Sequence, residues 1–149
     1  RIEFVRELDS VKWYNDSSCT TPESAITACE AFPEDTLILL LGGRDKGMDF
    51  SRLYQVIKER NVRVVPYGEM AETFAKNIPK TYHLPVPRSP MGEVGKPNTS
   101  FKEVISTARS LAMKGDNIVL SPACASFDMF SNAKERGKIF TRVVQSLPG

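Results

Sequence analysis

Five consecutive apolar residues, Leu37-Ile38-Leu39-Leu40-Leu41, run straight into Gly42-Gly43-Arg44-Asp45-Lys46-Gly47, and this stretch constrains the fold more than any other. An apolar run without alternation reads as a strand covered on both faces, which is how a parallel sheet between helices looks in sequence. The loop after it joins two residues that lack a Cβ to three charges. In open α/β sheets ligands bind outside the carboxyl ends of the strands. By itself such a turn is more often solvated than functional. It fits neither common phosphate motif: no glycine spacing gives the dinucleotide fingerprint, and the nearest Gly-Lys, Gly95-Lys96, is followed by Pro97 instead of Ser or Thr.

Around this strand, helical and extended patterns alternate. Ile2, Phe4 and Leu8, then Val11, Trp13 and Tyr14, flank an Asp9-Ser10 turn and predict an N-terminal hairpin. The polar loop Asn15-Asp16-Ser17-Ser18-Cys19-Thr20-Thr21 leads to Pro22, with Thr21 as N-cap of a helix that buries Ala25, Ile26 and Cys29. Unpaired amides at such a helix start favour an anion, although Asn, Asp, Ser and Thr are also plain turn formers. Phe50, Leu53, Tyr54 and Ile57 fall at helical spacing, Val62, Val64 and Val65 predict a strand, and Met70, Ala71 and Phe74 another helix. Tyr82-His83-Leu84 is a candidate strand, and the stretch holding Pro85, Pro87, Pro90, Gly92, Gly95 and Pro97 is expected to be a surface loop. Ser100 and Glu103 predict a capping box for a helix with Phe101, Val104, Ile105, Ala108, Leu111 and Ala112 on its buried stripe, ended by Gly115. Asn117-Ile118-Val119-Leu120 predicts the last strand, which breaks into Ser121-Pro122-Ala123-Cys124-Ala125-Ser126-Phe127-Asp128. A final helix carries Phe140, Val143, Val144 and Leu147.

Strand, helix, strand in this order means right-handed crossovers and a mostly parallel sheet. The 149 residues fit one domain. A net charge of +2 with scattered Lys and Arg makes no electrostatic case for nucleic acid, and no apolar run reaches membrane-spanning length. Three cysteines without a Cys-x-x-Cys pair argue against a disulfide framework or zinc site and for a reducing compartment. Nothing ties Cys124 to His83, the only histidine, as nucleophile and base. A chain that opens on Arg1 is expected to be excised from a longer one.

Three polar loops thus follow three predicted strands, and they share one rim if those strands lie side by side. The Thr20 hydroxyl, the Lys46 ammonium, the Ser126 hydroxyl and free backbone amides would then form a binding site for carboxylates. No pairing of nucleophile with base and no pair of carboxylic acids accompanies them, so the rim would hold a substrate without transforming it.

Asn15-Asp16-Ser17-Ser18-Cys19-Thr20, Leu41-Gly42-Gly43-Arg44-Asp45-Lys46-Gly47 with Asp49-Phe50, and the Ser121 to Asp128 block closely resemble the C-terminal domain of the Mur ligases, in the branch that adds D-glutamate. The resemblance runs from Arg1 to Glu135-Arg136-Gly137, and the Ser-Pro-Ala-Cys-Ala-Ser block is highly specific to this branch. It implies a bacterial, cytoplasmic, monomeric enzyme of peptidoglycan precursor synthesis. An N-terminal domain holding UDP-N-acetylmuramoyl-L-alanine and a central domain holding ATP with Mg2+ would both lie outside residues 1–149. ATP would convert the L-alanyl carboxylate to an acyl phosphate, which the amine of D-glutamate attacks to form the amide.

By the same resemblance, Lys46 and Thr20 would bind the α-carboxylate of the incoming amino acid, and Ser126 with the amide of Phe127 its side-chain carboxylate. Arg1 and Asp16 would contact ATP on domain closure. No catalytic residue and no metal ligand is expected in this domain, and the isolated domain is expected to be inactive. The implied fold is α/β, a three-layer Rossmann-like domain with a mostly parallel sheet of about six strands, an N-terminal hairpin and helices on both faces. Two positions depart from the family pattern: Ser18 stands where lysine is usual, and Ala133 where a bulky aromatic is common. The missing charge suggests a looser amino-acid selectivity, extending even to a cationic amino acid. The competing readings are a folylpolyglutamate synthetase-like domain, which lacks the Ser-Pro-Ala-Cys-Ala-Ser block, and a free-standing carboxylate-binding module without catalysis.

Overall fold

A computed structural model describes residues 2–82, 97–126 and 130–149, with residues 97–100 described by backbone alone. Five strands form one sheet in the order β1-β2-β5-β3-β4: β1 (Glu3–Leu8), β2 (Val11–Asn15), β3 (Leu37–Gly42), β4 (Arg63–Tyr67) and β5 (Asn117–Ala123). β1 pairs antiparallel with β2, and the other neighbours are all parallel. The helices are α1 (Pro22–Glu30), α2 (Ser51–Glu59), α3 (Ala71–Asn77), α4 (Pro97–Leu111) and α5 (Ala133–Ser146). The hairpin turn places Asp9 and Ser10 at φ 54° and 64°. Positive φ at both central residues gives the backbone twist that matches two right-twisted strands.

β3 shows why the apolar run exists. Leu37, Leu39 and Leu41 face a core shared with Ala25, Ile26 and Cys29 of α1, Leu53 and Ile57 of α2, and Phe74 of α3. Ile38 and Leu40 face the opposite core, made with Phe101, Val104, Ile105 and Ala108 of α4 and Phe140 and Val144 of α5. None of the five strand residues is more than 2% exposed, so each contributes roughly 1.5–3 kcal/mol of burial. An exposed ion pair such as Arg44–Glu69 at 3.1 Å contributes about 0–1 kcal/mol. The two-sided core therefore sets the fold. The chain makes two long crossovers, β2 to β3 over β5 with α1 on the first face, and β4 to β5 over β3 with α4 on the second.

The expected three layers and N-terminal hairpin are present; the differences lie in the sheet count and in α4. Among the described residues the sheet has five strands where about six were expected, and after α3 they show one parallel bridge, Val64 to Thr81, beside which Tyr82 N donates to Val64 O at 2.9 Å. His83, Leu84 and the Pro/Gly-rich positions from Pro85 to Gly95 lie outside the described residues. Among the described residues α4 runs from Pro97, which puts the Ser100 backbone within the helix and not at the cap position before it. Proline suits a first helical position, where its missing N–H would have had no partner. α4 also ends at Leu111, and Gly115 at φ 92° belongs to the following turn, donating its N–H to Ser10 O at 2.8 Å. At the other end of the second face, the Arg6 guanidinium donates to the carbonyls of Val144, Gln145 and Leu147 at 3.0–3.2 Å. It supplies donors to carbonyls at the end of α5, where intrahelical partners run out, and adds to the Leu147 N–H already on Val144 O.

On α1, burial pushes the Cys29 thiol up from its ordinary 9.0 to about 12, against the opposing pull of the Arg60 guanidinium. A pKa raised on folding gives stability that is complete below pH 9 and lost as the pH climbs towards 12. Replacing Cys29 with alanine should remove this component, so urea unfolding should show the parent losing more stability than Cys29→Ala between pH 8.5 and about 11. Parallel pH curves for the two proteins would contradict it.

Candidate functional site

β2, β5 and β3 are adjacent and parallel, so the loops after them emerge at one edge of the sheet. The chain leaves β2 and β3 towards α1 and α2 on one face, and leaves β5 towards α5 on the other. Adjacent strands whose connections part to opposite faces open a crevice at their carboxyl ends.

The first loop is tied down by its own backbone. Asp16 N donates to Leu120 O at 2.8 Å and Cys19 N to Asp16 O at 2.9 Å. The Asp16 carboxylate, 4% exposed, accepts from Ser121 Oγ at 2.9 Å. Burial raises the pKa of the Cys19 thiol, the nearby Asp16 charge adds to it, and hydrogen bonds with Ser121, Ala123 and Thr21 oppose it. Thr21 caps α1 as expected, accepting from Ser24 N at 3.2 Å, with Pro22 at the first helical position. Thr20 stands just before that cap, half-buried.

In the second loop the glycines serve close packing against the protein's own backbone. A Cβ on Gly42 would lie 2.2 Å from Tyr67 O, and one on Gly43, at φ 136°, would lie 2.2 Å from Ala125 O. Arg44 N donates to that same Ala125 carbonyl at 2.9 Å, stitching the β3 loop to the β5 loop. Asp45 accepts from Gly47 N at 2.7 Å, and Lys46 is exposed at the tip.

In the third loop Ser126 is 2% exposed, and among the described residues its hydroxyl has no hydrogen-bond partner. A buried hydroxyl left unpaired costs about 1–3 kcal/mol, and a bound ligand that accepts from it would remove that cost. Thr20, Lys46 and Ser126 thus occupy three loops of one rim. Asp16 lies under that rim, bonded to Ser121. Phe127 and Arg1 lie outside the described residues, as does His83, while Cys124 is buried. Among the described residues no group of three or more His, Cys, Asp or Glu could hold a metal ion, and no helix is long and apolar enough to cross a membrane.

Two features escaped the sequence reading. Arg136 is fully buried, donating from Nε to Ser17 Oγ at 2.9 Å, from Nη2 to Ser17 O at 2.8 Å and from Nη1 to Cys124 O at 3.0 Å. Its signal was present, since Arg136, Phe140 and Val144 fall four residues apart on the buried stripe of α5. The second feature is a groove of about 710 Å3 beside the first loop, whose lining includes Ser18, Ala133, Lys134, Lys138 and Arg142. Both departures from the family pattern, Ser18 and Ala133, open into it.

The family model described as "Mur ligase, glutamate ligase domain" matches residues 1–124. The chain is 41% identical over 152 residues to the UDP-N-acetylmuramoylalanine–D-glutamate ligase of Clostridium perfringens, covering 99% of this chain and 31% of that protein. It is 39% identical over 150 residues to the ligase of the same name from Natranaerobius thermophilus, covering 100% and 30%, and 37% identical over 147 residues to that from Caldanaerobacter subterraneus subsp. tengcongensis, covering 99% and 31%. The chain therefore spans about a third of the length of the curated relatives it matches.

The Gly43 contact yields a direct check. Gly43→Ala should cost at least about 2 kcal/mol, because the methyl group meets Ala125 O at a φ that disfavours any Cβ. The measure is the urea midpoint of the 149-residue chain; an unchanged midpoint would show that the two loops are not pressed together.

Proposed function

The chain belongs to the Mur ligase family, as its glutamate ligase domain, and from that premise we propose that it is the amino-acid-binding domain of an ATP-dependent ligase. The proposed enzyme adds D-glutamate to UDP-N-acetylmuramoyl-L-alanine in peptidoglycan precursor synthesis. What carries the reading is one geometric fact: the loops of Thr20, Lys46 and Ser126 leave three neighbouring parallel strands at a single edge.

A dicarboxylic amino acid needs two anion grips and a fixed direction for its amine. The Lys46 ammonium and the Thr20 hydroxyl are proposed to hold the α-carboxylate through charge-assisted hydrogen bonds. The Ser126 hydroxyl and the Phe127 amide are proposed to hold the side-chain carboxylate, which would give the buried Ser126 Oγ an acceptor. Bound ATP, with Mg2+ in a separate central domain, would activate the L-alanyl carboxylate, and Arg1 and Asp16 would approach it when the domains close. Holding the D-glutamate amine in line with the activated carbonyl replaces a bimolecular encounter by an oriented one, an effect of several kcal/mol at least. This rim supplies orientation and no proton transfer.

Lys46→Ala in the full-length enzyme should lower kcat/KM for D-glutamate by roughly 10- to 100-fold, the scale of a lost hydrogen bond to a charged group. Most of the loss should appear in KM for D-glutamate, with KM for ATP unchanged; unaltered D-glutamate kinetics would reject the rim as the amino-acid site.

The groove bears on selectivity. Ser18 and Ala133 share it with the cations Lys134, Lys138 and Arg142 and with one acid, Glu3. On the proposal that the amino-acid side chain reaches this groove from the rim, that balance disfavours a cationic amino acid, despite the charge missing at position 18. Side by side, kcat/KM should be measurable for D-glutamate and undetectable for lysine; efficient use of lysine would show that Ser18 sets the preference instead.

A further inference from the structure

Arg136 carries a charge into the fully enclosed interior, outside every residue assigned to the amino acid above. We propose that Arg136 is a positioning residue: its guanidinium fixes the separation between the loop of Thr20 and the loop of Ser126, and so sets how the domain presents a dicarboxylic amino acid. The proposal rests on reading the rim as the D-glutamate site.

Three contacts define the link. Nε and Nη2 grip Ser17 at its hydroxyl and its carbonyl, at 2.9 and 2.8 Å, while Nη1 reaches Cys124 O at 3.0 Å. Ser17 lies three residues before Thr20, and Cys124 two before Ser126. The guanidinium is planar and rigid, so these contacts hold the two loops at a set distance, as a flexible ammonium could not. Ser17 Oγ passes the link on by donating to Ala133 O at 2.6 Å, which anchors the first loop to the start of α5. The residue after Arg136 presses on the same loop: a Cβ at Gly137 would lie 2.9 Å from Asn15 Nδ2 and 3.1 Å from Ser17 Cβ.

An apolar side chain would fill the stripe position beside Phe140 without the desolvation that a buried cation suffers. The charge is explained by what it connects. Asp16 and Ser121, and Arg44 and Ala125, also join the loops. Loss of Arg136 should therefore shift the rim without dismantling the sheet.

The test compares two nucleophiles in the full-length enzyme, D-glutamate, which needs both carboxylate grips, and hydroxylamine, which needs neither. Arg136→Lys should lower kcat/KM for D-glutamate by roughly 10- to 100-fold, mainly through KM, while hydroxylamine use stays within roughly twofold of the parent. Ser17→Ala, which removes one of the three acceptors, should show the same pattern with a smaller loss, and it decides the question if Arg136→Lys does not fold. Equal losses with both nucleophiles, or no loss with either, would overturn the proposal. Lys46→Ala in the same assay separates the two readings. If it too spares D-glutamate, the rim assignment fails; if it alone impairs D-glutamate, only the role of Arg136 fails.

Discussion

The parallel pairing of β5 with both β2 and β3 is the constraint on which the rest of this domain depends. Parallel neighbours end at the same edge, so three segments far apart in the chain deliver their loops to one rim. The same pairing requires long crossovers, and the crossovers put helices on both faces of the sheet. With both faces covered, the central strand has no side that can be polar, hence the unbroken run from Leu37 to Leu41. Core and rim are therefore two results of one arrangement, and a change that weakened the two-sided core would also scatter the loops.

The rim is stiffer than its polar, glycine-rich sequence would suggest. The Gly43 backbone lies so close to Ala125 that no side chain fits between them, and Arg44 N closes the contact. On the other side of β5, Asp16 is bonded through its amide to Leu120 and through its carboxylate to Ser121. Small residues let two backbones meet, and backbone hydrogen bonds then hold them. A rim fixed in this way can hold the Ser126 hydroxyl buried and, among the described residues, without a hydrogen-bond partner.

How much of this could be read from the letters follows from the range of each interaction. The two-face burial of β3, the Thr21-Pro22 helix start and the three rim loops depend on near neighbours, and their patterns were plain. Ser100-x-x-Glu103 has the form of a capping box, yet among the described residues the helix already runs from Pro97, and proline's ready-made φ suits a first helical turn. Of the expected strand around Tyr82 the described residues hold the bridge from Thr81 to Val64, while His83 and Leu84 lie outside them. The role of Arg136 was harder to read for a different reason. Its partners lie 119 and 12 residues away, so nothing local distinguishes it from a solvated arginine except its place on the stripe of Phe140 and Val144.

On the proposed reading, selectivity at the rim owes more to geometry than to charge. The chain carries a net charge of only +2, and a single ammonium, that of Lys46, stands among the four residues assigned to the substrate. An attractive field of that size cannot separate one amino acid from another by itself. The second carboxylate is met instead by neutral donors, with Ser126 Oγ already buried and unpaired among the described residues. An amino acid lacking a second acid group would leave that hydroxyl unpaired in the closed site, whereas D-glutamate would satisfy it. Sites of this kind discriminate by the cost of what remains unbonded. The same argument explains why the distance between the loops matters more than the strength of either grip: a donor that cannot reach the carboxylate contributes nothing, however strong it is.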